Sequence, residues 1–90
     1  MAVKVRIPGS LKKWFNGHET VSCKGSTLAE CINHLDEMFA GIRDQIIDKH
    51  NEISSVLIFL NGDNIRTLDG LSTLISTDDE ISIIPLAAGG

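Results

Sequence analysis

The reactive group whose chemistry is easiest to specify is the α-carboxylate of Gly90. It ends a run of small residues, Ala87, Ala88, Gly89 and Gly90. A free carboxylate is an anion with a pKa of about 3.5, and it does not acylate other molecules at neutral pH. It becomes an acyl donor after activation, for example as a mixed anhydride with AMP, which requires a second protein with an ATP site. Glycine permits any backbone dihedral and close approach to a phosphate, while the two alanines keep the tail narrow. The tail therefore predicts threading into a partner's ATP site, with no cofactor bound by this chain itself.

The other residue types that could support catalysis do not form a recognisable site. His18, His34 and His50 are sixteen residues apart, and no pair of them has metal-ligand spacing. The acidic run 78–80 is interpreted as a solvated turn, because no further ligand type accompanies it. No nucleophile with an adjacent base and no glycine-rich phosphate loop is apparent. We therefore expect no metal site and no enzymatic activity of the chain by itself.

Composition and charge narrow the class of partner. The formal net charge is −4, from 8 Lys and Arg against 12 Asp and Glu, but residues 1–25 carry a net +4 and residues 26–90 a net −8. An acidic majority argues against nucleic-acid binding as the main function. Without an eighteen-residue apolar run or an apolar signal core, we expect a cytoplasmic protein and no membrane contact. In that reducing compartment, Cys23 and Cys31 are expected to be buried, unreactive thiols.

Alternation of apolar and polar residues predicts two N-terminal strands. Residues 2–7 alternate, with Val3 and Val5 on one face, and "HETVSC" at 18–23 alternates again. A Pro-Gly pair and the connection 8–17 separate the two strands. Together they predict a hairpin.

One amphipathic helix follows the hairpin. Thr27 and Glu30 have capping-box spacing at its start. Gly41 is predicted to end it, and residues 42–52 are predicted to add a further helical turn before a loop. The apolar positions recur at spacings of three and four and define one buried stripe: Leu28, Cys31, Ile32, Leu35, Met38 and Phe39.

The second half of the chain predicts the remaining strands. Residues 56–60 are five consecutive apolar residues, a turn at Asn61-Gly62 follows, and a short strand is expected at 64–66. A loop with a short helical turn precedes the last strand, "EISIIP" at 80–85, which ends at a proline that cannot donate to a ladder. If the helix is the crossover of a β-α-β unit, the strand after it is expected to lie parallel to its neighbour.

This element order predicts a two-layer α+β domain of the β-grasp type. A mixed sheet of four to five strands packs on one main helix. The predicted domain spans 1–85, and residues 86–90 form a flexible tail.

The sheet face away from the helix is a candidate docking surface. Leu57, Phe59 and Ile84 fall on that face by alternation, beside the outward Lys4 and Arg6. An exposed apolar group bordered by charges is typical of a protein-binding surface.

The alternative is that the connection 8–17 folds over this face. Trp14 and Phe15 would then cover the apolar group. Alternation along the strands does not distinguish the two arrangements.

Four stretches of the chain resemble the ThiS/MoaD family of ubiquitin-like sulfur carrier proteins. They cover nearly the whole sequence: "VKVRIP", "GSTLAECINHLDEMFAGI", "VLIFLNGDNIR" and "DDEISIIPLAAGG". The last is the most specific, with an acidic turn, a strand, a proline and a terminal diglycine. Thr77 and the pair Leu86-Ala87 depart from the usual pattern, which bears on the branch of the family and leaves the family unchanged.

The resemblance implies a mechanism and partners. An ATP-dependent activating enzyme would adenylate Gly90, a sulfur source would convert it to a thiocarboxylate, and a synthase would accept the sulfur. Gly89, Ala88 and Ala87 would thread into the activating enzyme, and Leu86 would join the docking surface. The length resembles the molybdopterin synthase small subunit and the carriers for cysteine or homocysteine synthesis, with the amino-acid branch slightly favoured.

Two other functions remain open from the residues. One is a protein modifier conjugated to lysines through Gly90, since the same diglycine chemistry serves both. The other is an interaction domain whose tail is incidental, because a β-grasp fold hosts many unrelated functions.

Overall fold

The computed structural model describes residues 2–86 and shows one mixed sheet of five strands with helices on one side. The strand order is β2-β1-β5-β3-β4. The elements are β1 (Val3–Arg6), β2 (Thr20–Cys23), α1 (Leu28–Met38), α2 (Ile42–Ile46), β3 (Val56–Leu60), β4 (Asp63–Asn64) and β5 (Glu80–Pro85), with 3₁₀ segments at Gly9–Phe15, Ile65–Thr67 and Gly70–Ser72. The predicted α+β architecture of β-grasp type is confirmed. The predicted tail residues Ala87, Ala88, Gly89 and Gly90 lie outside the described residues.

The hairpin is as predicted, but one strand direction differs from the prediction. β1 and β2 pair antiparallel, with Val3 opposite Cys23. The parallel pair is β1 with β5, whereas β3 is antiparallel to both of its neighbours, β5 and β4. The prediction that β3 lies parallel to its neighbour is wrong, because β5 occupies the position between β1 and β3.

The core lies between the helices and one face of the sheet. Val5 on β1, Ile58 on β3 and Ile81 on β5 are at most 2% exposed. The α1 stripe meets them with Leu28, Cys31, Ile32 and Leu35, as predicted. Met38 is 44% exposed and so departs from the predicted stripe, whereas Phe39 is half-buried against the core.

The start of α1 carries a variant of the predicted capping box. The Thr27 hydroxyl accepts from the Glu30 amide at 3.2 Å. The Glu30 carboxylate accepts from the Ser26 amide at 2.8 Å, one residue earlier than the capping box expects. Both contacts satisfy amides near the first turn, which is the purpose of a cap.

Gly41 does not end α1. The helix ends at Met38 with Phe39 as its C-cap, and Gly41 begins α2 with a φ of 95°. The Asp36 carboxylate accepts from the amides of Gly41 and Arg43 at 3.1 and 3.0 Å, and so stabilises the turn between the helices. The further helical turn predicted within 42–52 is confirmed as α2.

The turn after β3 shifts the short strand relative to its prediction. Asn61 and Gly62 have φ values of 52° and 93°, and Leu60 pairs with Asp63 across them. A two-residue turn with two positive φ values matches the right-handed twist of a hairpin. β4 is therefore Asp63–Asn64, and 65–67 is 3₁₀ instead of strand.

The connection 8–17 packs on the helix side. Phe15 is fully buried, and its ring centre lies 4.9 Å from that of Phe39. Trp14 approaches Gly41, whose ideal Cβ would lie 3.1 Å from the indole. The alternative in which this connection covers the outer sheet face is therefore wrong.

No helix in the part of the chain from 2 to 86 has the length and apolar character needed to cross a membrane.

Candidate functional site

The described chain leaves the sheet at the end of β5. Pro85 is opposite Val56, and the Leu86 amide donates to the Ser55 carbonyl at 3.3 Å. Ser55 has a φ of 70°, which is uncommon for a residue with a side chain. Leu86 is 44% exposed. The contact between the β3 and β5 sides of the sheet therefore extends to Leu86, the last residue that the structure describes.

An apolar group lies on the outer sheet face beside this exit. Leu57 and Ile84 are directly opposite each other across β3 and β5, and Phe59 lies two residues along β3 on the same face. Leu57 and Phe59 are half-buried, and Ile84 is 43% exposed. The structure thus brings together Leu57, Phe59 and Ile84, and places the exposed Leu86 two residues after Ile84. We call these four residues the outer apolar group.

Two cations share one carboxylate on the same face. The ammonium of Lys4 lies 3.8 Å from the Glu80 carboxylate, and the guanidinium of Arg6 lies 3.5 Å from it. Parallel pairing of β1 with β5 puts Lys4 opposite Glu80 and Arg6 opposite Ser82. Exposed ion pairs of this kind stabilise a fold by roughly 0–1 kcal/mol. Because two cations share one carboxylate, Lys4, Arg6 and Glu80 together form a net positive stripe that borders the outer apolar group.

Sequence reasoning missed the role of Glu80. It was predicted as the first residue of the last strand, which the structure confirms, but its ion pairs with Lys4 and Arg6 were not predicted. The signal was present in the alternation of the strand, which puts 80, 82 and 84 on one face. Using that signal required knowing that β5 lies beside β1, and no local pattern carries that information.

The acidic turn before β5 also has structural contacts. Asp79 accepts from the Ser76 amide at 2.7 Å and from the Asn61 side-chain amide at 2.8 Å. The Asn61 side-chain oxygen accepts from the Glu80 amide at 2.9 Å. Asn61 therefore joins the β3–β4 turn to the start of β5 and aligns the strand that leads to residue 86.

Comparison with known proteins places the chain in a family. Residues 5–90 match the model of the ThiS family. The chain belongs to the ThiS family. A curated relative, sulfur carrier protein CysO of Mycobacterium tuberculosis, is 33% identical over 93 residues that cover 100% of both chains. The resemblance predicted from the four sequence stretches is confirmed.

Solved structures agree with this ThiS-family assignment. The Amycolatopsis orientalis structure described as a BexX/CysO complex matches with a TM-score of 0.92 and 29% identity, over 99% of this chain and 100% of that chain. Small archaeal modifier protein 1 of Methanosarcina acetivorans matches with a TM-score of 0.84 and 31% identity, over 99% and 96%. The second likeness is to a protein named as a modifier.

The thiols of this ThiS-family chain are sealed in the core. Cys23 and Cys31 are both 0% exposed, as predicted. A hydrogen bond with Cys31 and burial raise the pKa of the Cys23 thiol. Because a reactive cysteine needs an accessible thiolate, the complete burial of both sulfurs makes them poor acceptors for transferable sulfur.

The histidines are dispersed. Nδ1 of His34 accepts from the Lys24 amide at 2.9 Å, while His18 and His50 are exposed at other places on the surface. Within residues 2–86, His, Cys, Asp and Glu side chains form no group of three that could hold a metal ion. What the described residues do form is an exposed apolar surface, the outer apolar group, beside residue 86.

Proposed function

We propose that this chain is a sulfur carrier whose Gly90 carboxylate is activated by a partner and converted to a thiocarboxylate. The observation that carries the proposal is the ThiS-family match through residue 90, together with full-length similarity to a protein named as a sulfur carrier. In this role the chain is a co-substrate or small subunit of partner enzymes and not a catalyst. The buried thiols support the proposal, because they leave the tail carboxylate as the better place to carry sulfur.

The proposed chemistry has two steps. A carboxylate oxygen of Gly90 attacks the α-phosphorus of ATP in the activating enzyme, which forms an acyl adenylate and releases pyrophosphate. Hydrosulfide then attacks the carbonyl carbon and displaces AMP, so a C–S bond replaces the C–O bond to the phosphate. The resulting terminal sulfur is an anion at neutral pH and can attack an electrophilic acceptor in a synthase.

The outer apolar group is the proposed docking surface for the activating enzyme and then for the synthase. Leu57, Phe59 and Ile84 lie close to residue 86, so a partner that contacts them is also close to the point from which residues 87–90 continue. Burial of exposed aliphatic surface contributes about 25 cal/mol per Å². The cations Lys4 and Arg6 would guide the approach of a partner with an acidic rim.

The proposed acceptor pathway is cysteine or homocysteine synthesis. Support comes from the similarity to CysO, which extends over the full length of both chains. Purified thiocarboxylated chain would be mixed with a cysteine or homocysteine synthase and its activated amino-acid substrate. An amino-acid adduct on Gly90 supports this branch, and sulfur transfer only with a molybdopterin synthase large subunit assigns the chain to the other branch.

The decisive experiment for the function is intact-mass spectrometry. The chain is incubated with its cognate activating enzyme, ATP and sulfide, and the expected product is heavier by about 16 Da, the difference between sulfur and oxygen on the terminal carboxyl. A variant lacking Gly90 and a variant with phenylalanine appended after Gly90 should both stay unmodified. Unchanged mass of the native chain, with an activating enzyme shown to be active on another carrier, would overturn the proposal.

A second function, conjugation to protein lysines, is favoured by the likeness to small archaeal modifier protein 1. It requires the same activated Gly90, with a lysine amine in place of sulfide as the attacking group. Extracts of cells producing tagged chain would contain higher-mass covalent adducts. Their loss on deletion of Gly90, with an isopeptide-linked glycine found by peptide mapping, would support this function.

A further inference from the structure

A second surface lies away from the outer apolar group, at the edge of the sheet formed by β2. A groove of about 340 Å³ runs between β2 and the end of α1. Its lining combines the strand with helix-end residues: His18, Thr20, Val21, Ser22, Met38 and Phe39. The proposed function does not use this groove.

The strand side of the groove offers free main-chain hydrogen-bonding groups. Ile7 donates to the Glu19 carbonyl at 2.8 Å, and Arg6 is opposite Thr20 in the next pair. Bonded and non-bonded pairs alternate along an antiparallel ladder. The N–H and C=O groups of Thr20 and Ser22 therefore point away from β1, and the sheet formed by the described residues ends at β2.

The same edge is closed one pair further along. The Lys24 amide, which also points outward by this alternation, donates to Nδ1 of His34 at 2.9 Å. A side chain from α1 therefore satisfies the edge at Lys24, while Thr20 and Ser22 stay open to a partner. Natural proteins protect exposed strand edges. An edge that is satisfied at Lys24 but open at Thr20 and Ser22 therefore offers a defined place for a partner strand.

The helix side of the groove is apolar and well supported. Met38 is 44% exposed at the end of α1, and Phe39 and Val21 are half-buried beside it. The Phe39 ring packs on the buried Phe15 ring at 4.9 Å. An apolar side chain that enters the groove would meet a flexible methionine over a supported aromatic floor.

The charges around the groove favour an acidic partner. Lys24 follows β2 directly, and Lys4 and Arg6, which share the single carboxylate of Glu80, stand on β1 opposite Ser22 and Thr20. The carboxylate nearest the start of β2, Glu19, pairs with Lys12 at 3.3 Å. A strand added to β2 would lie about 10 Å from β1, which is about one screening length at 0.1 M salt. The segment 1–25 carries a net charge of +4 in a chain whose total is −4.

We propose that β2 and the end of α1 bind an extended peptide of a partner protein, with alternating apolar residues flanked by Asp or Glu. The peptide adds a strand to the sheet through Thr20 and Ser22 and inserts an apolar side chain between Val21, Met38 and Phe39. Main-chain bonds with alternate side-chain pockets are a general mode of peptide recognition. The site is separate from the tail exit, so a chain bound through it could still carry sulfur.

The test is a titration of isotope-labelled full-length chain with the acetylated, amidated peptide DEVIVIDE, followed by NMR. Saturable shifts are expected at the groove residues, and hydrogen exchange of the Thr20 and Ser22 amides should slow by about tenfold or more as the strand forms. The Lys24 amide, already bonded to His34, should change little. The same peptide with alternate amides methylated, or with lysines replacing its acids, should bind about tenfold more weakly or worse.

Variants distinguish peptide binding in the groove from non-specific binding elsewhere on the surface. Met38→Glu should weaken DEVIVIDE binding by about tenfold or more, whereas Met38→Leu should stay within about threefold. Thr20→Pro removes an edge donor without touching the β1 ladder, and should also weaken binding. Leu74→Ser, at an apolar residue 74% exposed elsewhere, is the matched control and should have no effect. Thermal unfolding confirms that each variant is folded.

Three results would overturn the proposal. One is no saturable shift at about 1 mM peptide, and another is a shift centred on Leu57 and Ile84 in place of β2. The third is a concentration-dependent shift of β2 without peptide, which would mean that a second copy of the chain occupies the edge. None of these three NMR readouts depends on the loading of sulfur onto Gly90. Failure of the peptide-binding proposal is therefore distinguishable from failure of the proposed sulfur-carrier function.

Discussion

The two faces of the central sheet differ in how deeply their side chains are buried, and therefore in how much each side chain contributes to stability. Ile58 on the helix side is 1% exposed, while its neighbours Leu57 and Phe59 on the outer face are half-buried. Both faces of β3 are apolar in sequence, yet only one is covered by the helices. An apolar strand with one uncovered face is suited to binding, because the exposed half is buried when a partner arrives.

This difference separates stability from recognition. Residues of the inner face contribute to the free energy of folding. Residues of the outer face can be replaced to suit a partner with little loss of folding free energy. The exit of the chain at Leu86 lies at the edge of the outer face. The surface proposed for recognition therefore lies beside residue 86, the last residue that the structure describes before the proposed reacting tail.

The largest expected effect is on the inner face. Ile58→Ala should lower the free energy of unfolding by about 2–5 kcal/mol, because it removes buried methyl groups and leaves a cavity. Leu57→Ala, one residue away on the outer face, should cost much less. Urea denaturation measures both, and equal losses at the two positions would contradict the distinction between the faces.

The next effect tests the outer face as a docking surface. Ile84→Asp should slow thiocarboxylate formation by about tenfold or more, since a charge would be desolvated in the interface. The free energy of unfolding should change little, because Ile84 is 43% exposed. Leu74→Asp is the control for an added charge, and equal rates for the two variants would argue against docking through the outer apolar group.

The cap of α1 is expected to give a smaller effect, on stability alone. Thr27→Ala removes the acceptor of the Glu30 amide and should cost about 1 kcal/mol of unfolding free energy. Ser26→Ala is the control, since Ser26 uses its backbone amide to reach Glu30. If Ser26→Ala were as destabilising as Thr27→Ala, the cap geometry would be incorrect.

The smallest effect concerns the shared carboxylate. Glu80→Gln should change the unfolding free energy by less than about 1 kcal/mol, because its ion pairs with Lys4 and Arg6 are exposed. It also leaves the outer face more positive, so docking to an acidic partner should become more sensitive to salt. Association rates at two ionic strengths measure this, with Asp78→Asn as the control, and an identical salt dependence would show that the stripe does not steer docking.

Much of the fold could be predicted from short-range pattern. Alternation located β1 and β5, an apolar run located β3, and the spacing from Leu28 to Leu35 located α1. Element ends were less accurate, because Gly41 with its positive φ serves α2 and does not end α1. The ends of helices depend on side-chain contacts such as the hydrogen bond that the Asp36 carboxylate accepts from Gly41. The spacing of apolar residues gives no information about such contacts.

The candidate site was predicted only in part. The apolar outer positions followed from alternation, but the link of Asn61 with Asp79 and Glu80 joins residues far apart in sequence. The groove beside β2 also depends on distant residues, since Met38 and Val21 meet only after the helix packs on the hairpin. The predicted tail roles of Ala87 to Gly90 lie outside the described residues and stay predictions.

By itself, the sequence determined the four longer strands, the main helix, the two buried thiols and the family resemblance, because each follows from periodicity or from a contiguous motif. Only the tertiary structure decided that β5 lies between β1 and β3, that the connection 8–17 turns to the helix side, and that Lys4 and Arg6 share Glu80. Those outcomes depend on which distant surfaces bury each other best, and that choice is made by the whole chain at once.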